Sequence, residues 1–155
     1  LVITNSFPMD SDLRQGVKAL ANNVRAVKRG GVMITMVRAE EGVGVFGLAE
    51  KKLPLGRKAL KLLALFLIPL VPKLKLKSMG EEDRFFLYFA LQAMRHATLI
   101  MVAPTIPEDV KGNLPFVTFE DTLFDALRTA RVAFPDKAEV LIFPNGGTTY
   151  PRFVK

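Results

Sequence analysis

Cysteine is absent from all 155 residues, and histidine occurs once, at His96. The first absence excludes a disulfide frame and any thiolate metal site, and fits a reducing compartment such as the cytoplasm. The second excludes catalysis by a histidine pair within this chain. Missing too is an apolar run of the roughly twenty residues that a membrane span requires. Acidic residues are missing from one long segment: between Lys51 and Lys77 stand eight Lys and Arg and no Asp or Glu, within a chain of net charge +7. The basic character belongs to that segment, so a nucleic-acid-coating surface is not expected. The opening residues do not read as a signal sequence. They begin inside a predicted strand with no initiator Met, as expected of a piece whose N-terminal part is missing.

What is present first is a βαβ unit over Val2 to Val37: a strand (VIT), a loop (NSFPMDSD), a helix (LRQGVKALANNVRAV), a Lys-Arg-Gly-Gly stop and a strand (VMITMV). Two parallel strands require such a crossover. Asp10 is expected at the N-cap, where a carboxylate accepts an orphan backbone N–H. Leu13, Val17, Leu20, Ala21, Val24 and Val27 recur at helical spacing and define a buried stripe, and Gly30 suits the left-handed closing turn. On the exposed side Arg14 and Lys18 lie one turn apart, with Gln15 three residues before Lys18, so these side chains are neighbours. Cations near a helix N-terminus oppose its dipole by a few tenths to about one kcal/mol each, which a bound anion would offset. A solvated face, helped by Asp10 and Asp12, is the plainer alternative.

Further along, Gly42, Gly44 and Gly47 spell G-x-G-x-x-G after a strand, which invites a dinucleotide reading. Glu40 and Glu41 count against it, and no acidic residue follows about twenty positions on to hold a ribose. Residues 53–77 form a basic apolar insert whose helix is apolar nearly all round from Ala59 to Phe66 and is closed by Pro69 and Pro72. Such a helix needs cover. Packing on this domain or an adjoining one is expected, with an anionic membrane surface as the rival. Ser78 with Glu81 makes a capping box before an aromatic-rich helix (RFFLYFALQAMRH), which His96 closes as a C-terminal cap. TLIMVAP reads as a buried parallel strand. Thr118 with Asp121 is expected to cap the next helix, in which Leu123, Leu127 and Ala130 share a face. Asn145-Gly146-Gly147 closes the last strand as a turn or as an anion-binding concavity. Strands near 1–4, 32–37, 98–103, 115–118 and 139–143 alternate with helices. The expected fold is a single three-layer α/β sandwich over 1–155 with a mostly parallel central sheet.

The run from Val2 to Met36 resembles the opening of the C-terminal domain of the nickel-pincer lactate racemase family. The matching positions are Pro8 and Asp10 of Pro-x-Asp, Gln15 and Lys18 of Gln-x-x-Lys, and Lys28, Gly30 and Gly31 of Lys-x-Gly-Gly. The resemblance covers 1–47 and about 95–152 and fails between them. Arg14 stands where the lactate enzymes have Tyr, and Asn5-Ser6-Phe7 replaces a Gly-Gly-Tyr-like loop. The resemblance implies a substrate-contacting domain of a 2-hydroxy-acid racemase or epimerase, with Gln15 and Lys18 on the substrate and Arg14 adding a contact. It implies a nickel-pincer nucleotide and a histidine pair in the N-terminal domain of a longer protein, and none of these in the present residues. The expected partners are thus a small 2-hydroxy acid and the chain's own N-terminal domain, with neither nucleic acid nor membrane. The alternatives are a nucleotide- or anion-binding module using Gly42 to Gly47, and a membrane-surface or partner-binding domain using 53–77.

Overall fold

The computed structural model describes residues 1–50, 52–73, 80–134 and 137–152. Its centre is a sheet in which β1 (Val2–Asn5), β2 (Val32–Met36) and β3 (Thr98–Val102) lie side by side. Their β-branched and apolar runs suit strands covered on both faces. Ile3 pairs with Ile34 and Ile34 with Ile100, so one row of isoleucines crosses the sheet. β4 (Thr118–Glu120) adds beside β3, and β5 (Leu141–Phe143) beside β1. The order is β4-β3-β2-β1-β5, and every pairing is parallel.

Helices cover both faces, which completes the expected three-layer α/β sandwich. Against Val2, Met33, Leu99 and Met101 pack α1 (Leu13–Asn23), α3 (Arg57–Leu70) and α4 (Glu81–His96). Short α2 (Gly47–Glu50) and α5 (Glu108–Asn113) flank them. The other face, with Ile3, Val32, Ile34, Ile100 and Val102, is covered by Ala126 and Ala130 of α6 (Leu123–Arg131). Ala126, not Leu127, shares the buried face of α6 with Ala130; Leu127 is 38% exposed. Among the described residues no helix is long and apolar enough to cross a membrane.

Several boundaries differ from the sequence expectation. The N-cap of α1 is Asp12, whose Oδ1 accepts from the Gln15 N–H at 2.6 Å. Asp10 lies too far upstream; its carbonyl instead accepts from the Ala39 N–H and fastens the end of β2. Thr118 pairs in β4, and the cap of α6 is Thr122, which accepts from the Asp125 N–H at 3.1 Å. β4 starts later than 115 because Leu114 and Phe116 turn into the core, closed by a Val117 N–H bond to the Leu114 carbonyl. The Ser78 capping box lies outside the described residues, and α4 starts after Gly80. Pro69 lies within the last turn of α3, which continues into a 3-10 turn over Val71–Lys73.

The basic apolar segment meets its expectation on one side only. Leu60, Ala64 and Val71 are buried, and Leu67 and Ile68 pack at the margin of the core. Among the described residues nothing covers the opposite side of α3.

Candidate functional site

The sheet changes direction beside β1. From β1 the chain leaves through α1 on one face and steps outward to β4; it returns through α6 on the other face to place β5 on the far side of β1. That makes β1 and β5 the switch point of the sheet, and open α/β sheets bind ligands beyond the carboxyl ends of the strands at such a point. Here the loops that follow β1 and β5, 5–12 and 144–150, lie against each other beside α1.

On that flank Lys18 Nζ donates to Gln15 Oε1 at 2.5 Å, and both side chains are half-buried. Among the described residues Lys18 has no carboxylate partner. One turn further, Asn22 Nδ2 donates to the Gly147 carbonyl at 3.1 Å, so the stripe Gln15, Lys18, Asn22 runs down to the turn after β5. Arg14 is drawn elsewhere: its guanidinium pairs with Glu82 at the start of α4. The structure thus joins Gln15 to Lys18 and gives Arg14 a separate partner.

The turn after β5 is held from beneath by a residue that sequence reasoning missed. Asn23 is fully buried, and its Nδ2 donates to the carbonyls of Ala19 and Gly146, both at 2.9 Å. The Gly146 N–H in turn donates to the Asn5 carbonyl at 2.7 Å, tying the loops after β1 and β5 together. A Cβ on Gly146 would stand 2.9 Å from that carbonyl oxygen and 3.1 Å from Asn23 Nδ2, so only glycine fits. The Thr148 and Thr149 N–H groups close on the Asn145 carbonyl, which makes 145–149 a turn. The missed signal was an amide on an otherwise apolar helix stripe.

The glycines of the motif shape a loop that closes on the start of α1. Gly42 and Gly44 adopt left-handed backbone, φ 81° and 68°, and bend the loop over the start of α1. There the Gly42 carbonyl accepts from the Leu13 N–H at 2.9 Å and the Val43 carbonyl from the Arg14 N–H at 3.3 Å. With Asp12 on the Gln15 N–H, the first-turn donors of α1 are engaged within the chain. At Gly47 the Asp83 carboxylate packs against the backbone, a poor surrounding for a pyrophosphate.

His96 sits at the opposite, amino-terminal end of the strands, just before β3. Its Nε2 lies 2.7 Å from the Val27 carbonyl, and the His96 carbonyl accepts from the Gly30 N–H at 2.8 Å. The histidine locks α4 to the end of the βαβ unit. Among the described residues no group of three His, Cys, Asp or Glu side chains is placed to hold a metal ion.

The described residues form an open, all-parallel α/β fold with a switch point beside β1. No protein-family model matches the sequence, and no curated protein matches it. Among solved structures, the lactate racemase apoprotein from Thermoanaerobacterium thermosaccharolyticum is similar in fold, with a TM-score of 0.70 and 23% identity. The match covers 98% of this chain and 35% of that one, so the present chain spans about a third of that protein's length.

Proposed function

We propose that this chain is the substrate-contacting, C-terminal domain of a lactate-racemase-like 2-hydroxy-acid racemase or epimerase, inactive by itself. Lys18 binds the substrate carboxylate, and Gln15 orients Lys18 and one substrate oxygen. The observation that carries this reading is the Lys18 ammonium, half-buried on α1 and, among the described residues, bonded to the neutral Gln15 Oε1 with no carboxylate partner. A half-buried ammonium without an acidic neighbour is completed by a carboxylate. Two further points support it: the Pro-x-Asp, Gln-x-x-Lys and Lys-x-Gly-Gly matches, and the fold shared with about a third of the lactate racemase apoprotein. Arg14, already paired with Glu82, contributes positive potential at the rim and contacts only a larger or more acidic substrate. The nickel-pincer nucleotide belongs, in this reading, to another part of the protein.

The test is Lys18→Ala in the complete enzyme. A charge-assisted hydrogen bond contributes about 1.5–3 kcal/mol, so kcat/KM for the 2-hydroxy acid should fall roughly 10- to 150-fold. Lys18→Arg should recover only part of this, because a planar fork does not reproduce a point charge. Arg25, exposed in the 3-10 turn after α1, is the control and should tolerate alanine. Equal behaviour of Lys18→Ala and Arg25→Ala would remove Lys18 from the site.

A further inference from the structure

The uncovered side of α3 is apolar at its centre and basic at both ends. Leu62, Leu65 and Phe66 are 77%, 61% and 71% exposed, and Leu70 follows one turn on. Lys58 and Lys61 precede this patch and Lys73 follows it, all in solvent. The helix is firmly seated, so the patch has a fixed orientation: Leu60 and Ala64 are buried beneath it. Arg57 anchors its start, donating to the Leu99 carbonyl at 3.4 Å and to Thr118 Oγ1. Of the acids that open neighbouring α4, Glu81 pairs with Arg84 at 3.6 Å, Glu82 pairs with Arg14, and Asp83 packs against Gly47. They leave the lysines of α3 unneutralised.

We propose that this face attaches the protein peripherally to an anionic lipid surface, independently of the function proposed above. Leucine and phenylalanine side chains on a helix enter the boundary between headgroups and acyl chains, while lysines at the ends meet lipid phosphates. A second copy of the chain is a poorer occupant. Pairing two such faces, parallel or antiparallel, sets lysine against lysine. The side of a helix is convex and offers no groove to a peptide; it fits a deformable apolar layer rimmed by negative charge. The apolar run is too short to span a bilayer, so attachment is one-sided and salt-sensitive.

The experiment is sedimentation of the complete protein with phosphatidylcholine vesicles, with and without phosphatidylglycerol, at low and high salt. Binding should require phosphatidylglycerol and weaken at high salt. Each lysine near an anionic surface contributes roughly a fivefold gain in partitioning. Lys58→Glu with Lys61→Glu should therefore lower binding by more than about tenfold, and Leu65→Asp with Phe66→Asp should abolish it. These side chains are exposed, so the core is untouched, which matched thermal unfolding curves would verify. These 155 residues hold no tryptophan, and the emission that a Phe66→Trp variant adds over the unsubstituted protein should shift to the blue on adding anionic vesicles. Absence of sedimentation, or sedimentation indifferent to both double substitutions, would overturn the proposal. So would emission from the Phe66→Trp variant that is already blue-shifted without lipid, because another segment or a second copy would then cover the face.

Discussion

Replacing Asn23 by aspartate changes almost no volume and inverts the chemistry at the join between the two site loops. In the native protein the Asn23 amide is fully buried and donates to two carbonyls at 2.9 Å. Aspartate would aim a carboxylate oxygen at those same carbonyls, with no cation among the hydrogen-bond partners of this position. Leaving an unpaired charge in the interior costs several kcal/mol, but the group can escape by taking a proton. Against a free aspartate pKa of about 3.9, holding the carboxyl neutral at pH 7 costs about 4 kcal/mol, at about 1.36 kcal/mol per unit. The protonated acid has one donor where the amide had two, so a further hydrogen bond of about 1 kcal/mol is lost. Asn23→Asp should thus destabilise the domain by roughly 4–5 kcal/mol at pH 7, lowering Tm by about 10–20 °C at this size. The pH dependence has a definite sign. Burial raises the folded-state pKa above the unfolded value, so the folded variant binds its proton more tightly. Its deficit against wild type should shrink as pH falls through the folded-state pKa, reaching its residual minimum below about 4. Urea denaturation at several pH values measures this, with Asn22→Asp as the control. That side chain is half-buried and makes one bond, at 3.1 Å to Gly147, so its cost should stay near 1 kcal/mol. A deficit for Asn23→Asp below about 1 kcal/mol at pH 7, or one independent of pH, would refute the assignment of Asn23 as the buried tie.

Two further outcomes complement those given for Lys18 and for α3. Leu99 is 1% exposed and lines an apolar cavity of about 40 Å³ with Phe89 and Met101. Leu99→Ala would merge its own void with that cavity, so the loss should lie in the upper half of the usual 2–5 kcal/mol by equilibrium denaturation; a loss near 1 kcal/mol would mean that the core collapses there. Residues 1–155 produced alone and exposed to nickel should retain none after gel filtration. Their single histidine is committed to the Val27 carbonyl, and elemental analysis showing stoichiometric nickel would contradict this.

What the sequence by itself determined is what depends on near neighbours. The runs VIT, VMITM and TLIMV are buried on both faces and lie where strands were expected, because a continuous apolar, β-branched run suits a parallel sheet. Leu13, Leu20 and Val24 face the core as their spacing requires, and Gly30 takes its left-handed turn at φ 84°. The adjacency of Gln15 and Lys18 follows from helical pitch alone. Tertiary structure decided whatever needs partners distant in the chain. Arg14 finds Glu82 68 residues away, and Asn23 finds Gly146 123 residues away. Neither distance is encoded in any local period. The same holds for the cap of α1. Asp10 and Asp12 are both competent carboxylates, and the choice fell to Asp12 because the Asp10 backbone is needed to hold Ala39 at the end of β2. It holds most clearly for α3, whose composition asks for cover all round. The sheet is already roofed by α1 and α4 on that face, so only one side of α3 could be buried there, and Leu62, Leu65 and Phe66 stayed outside.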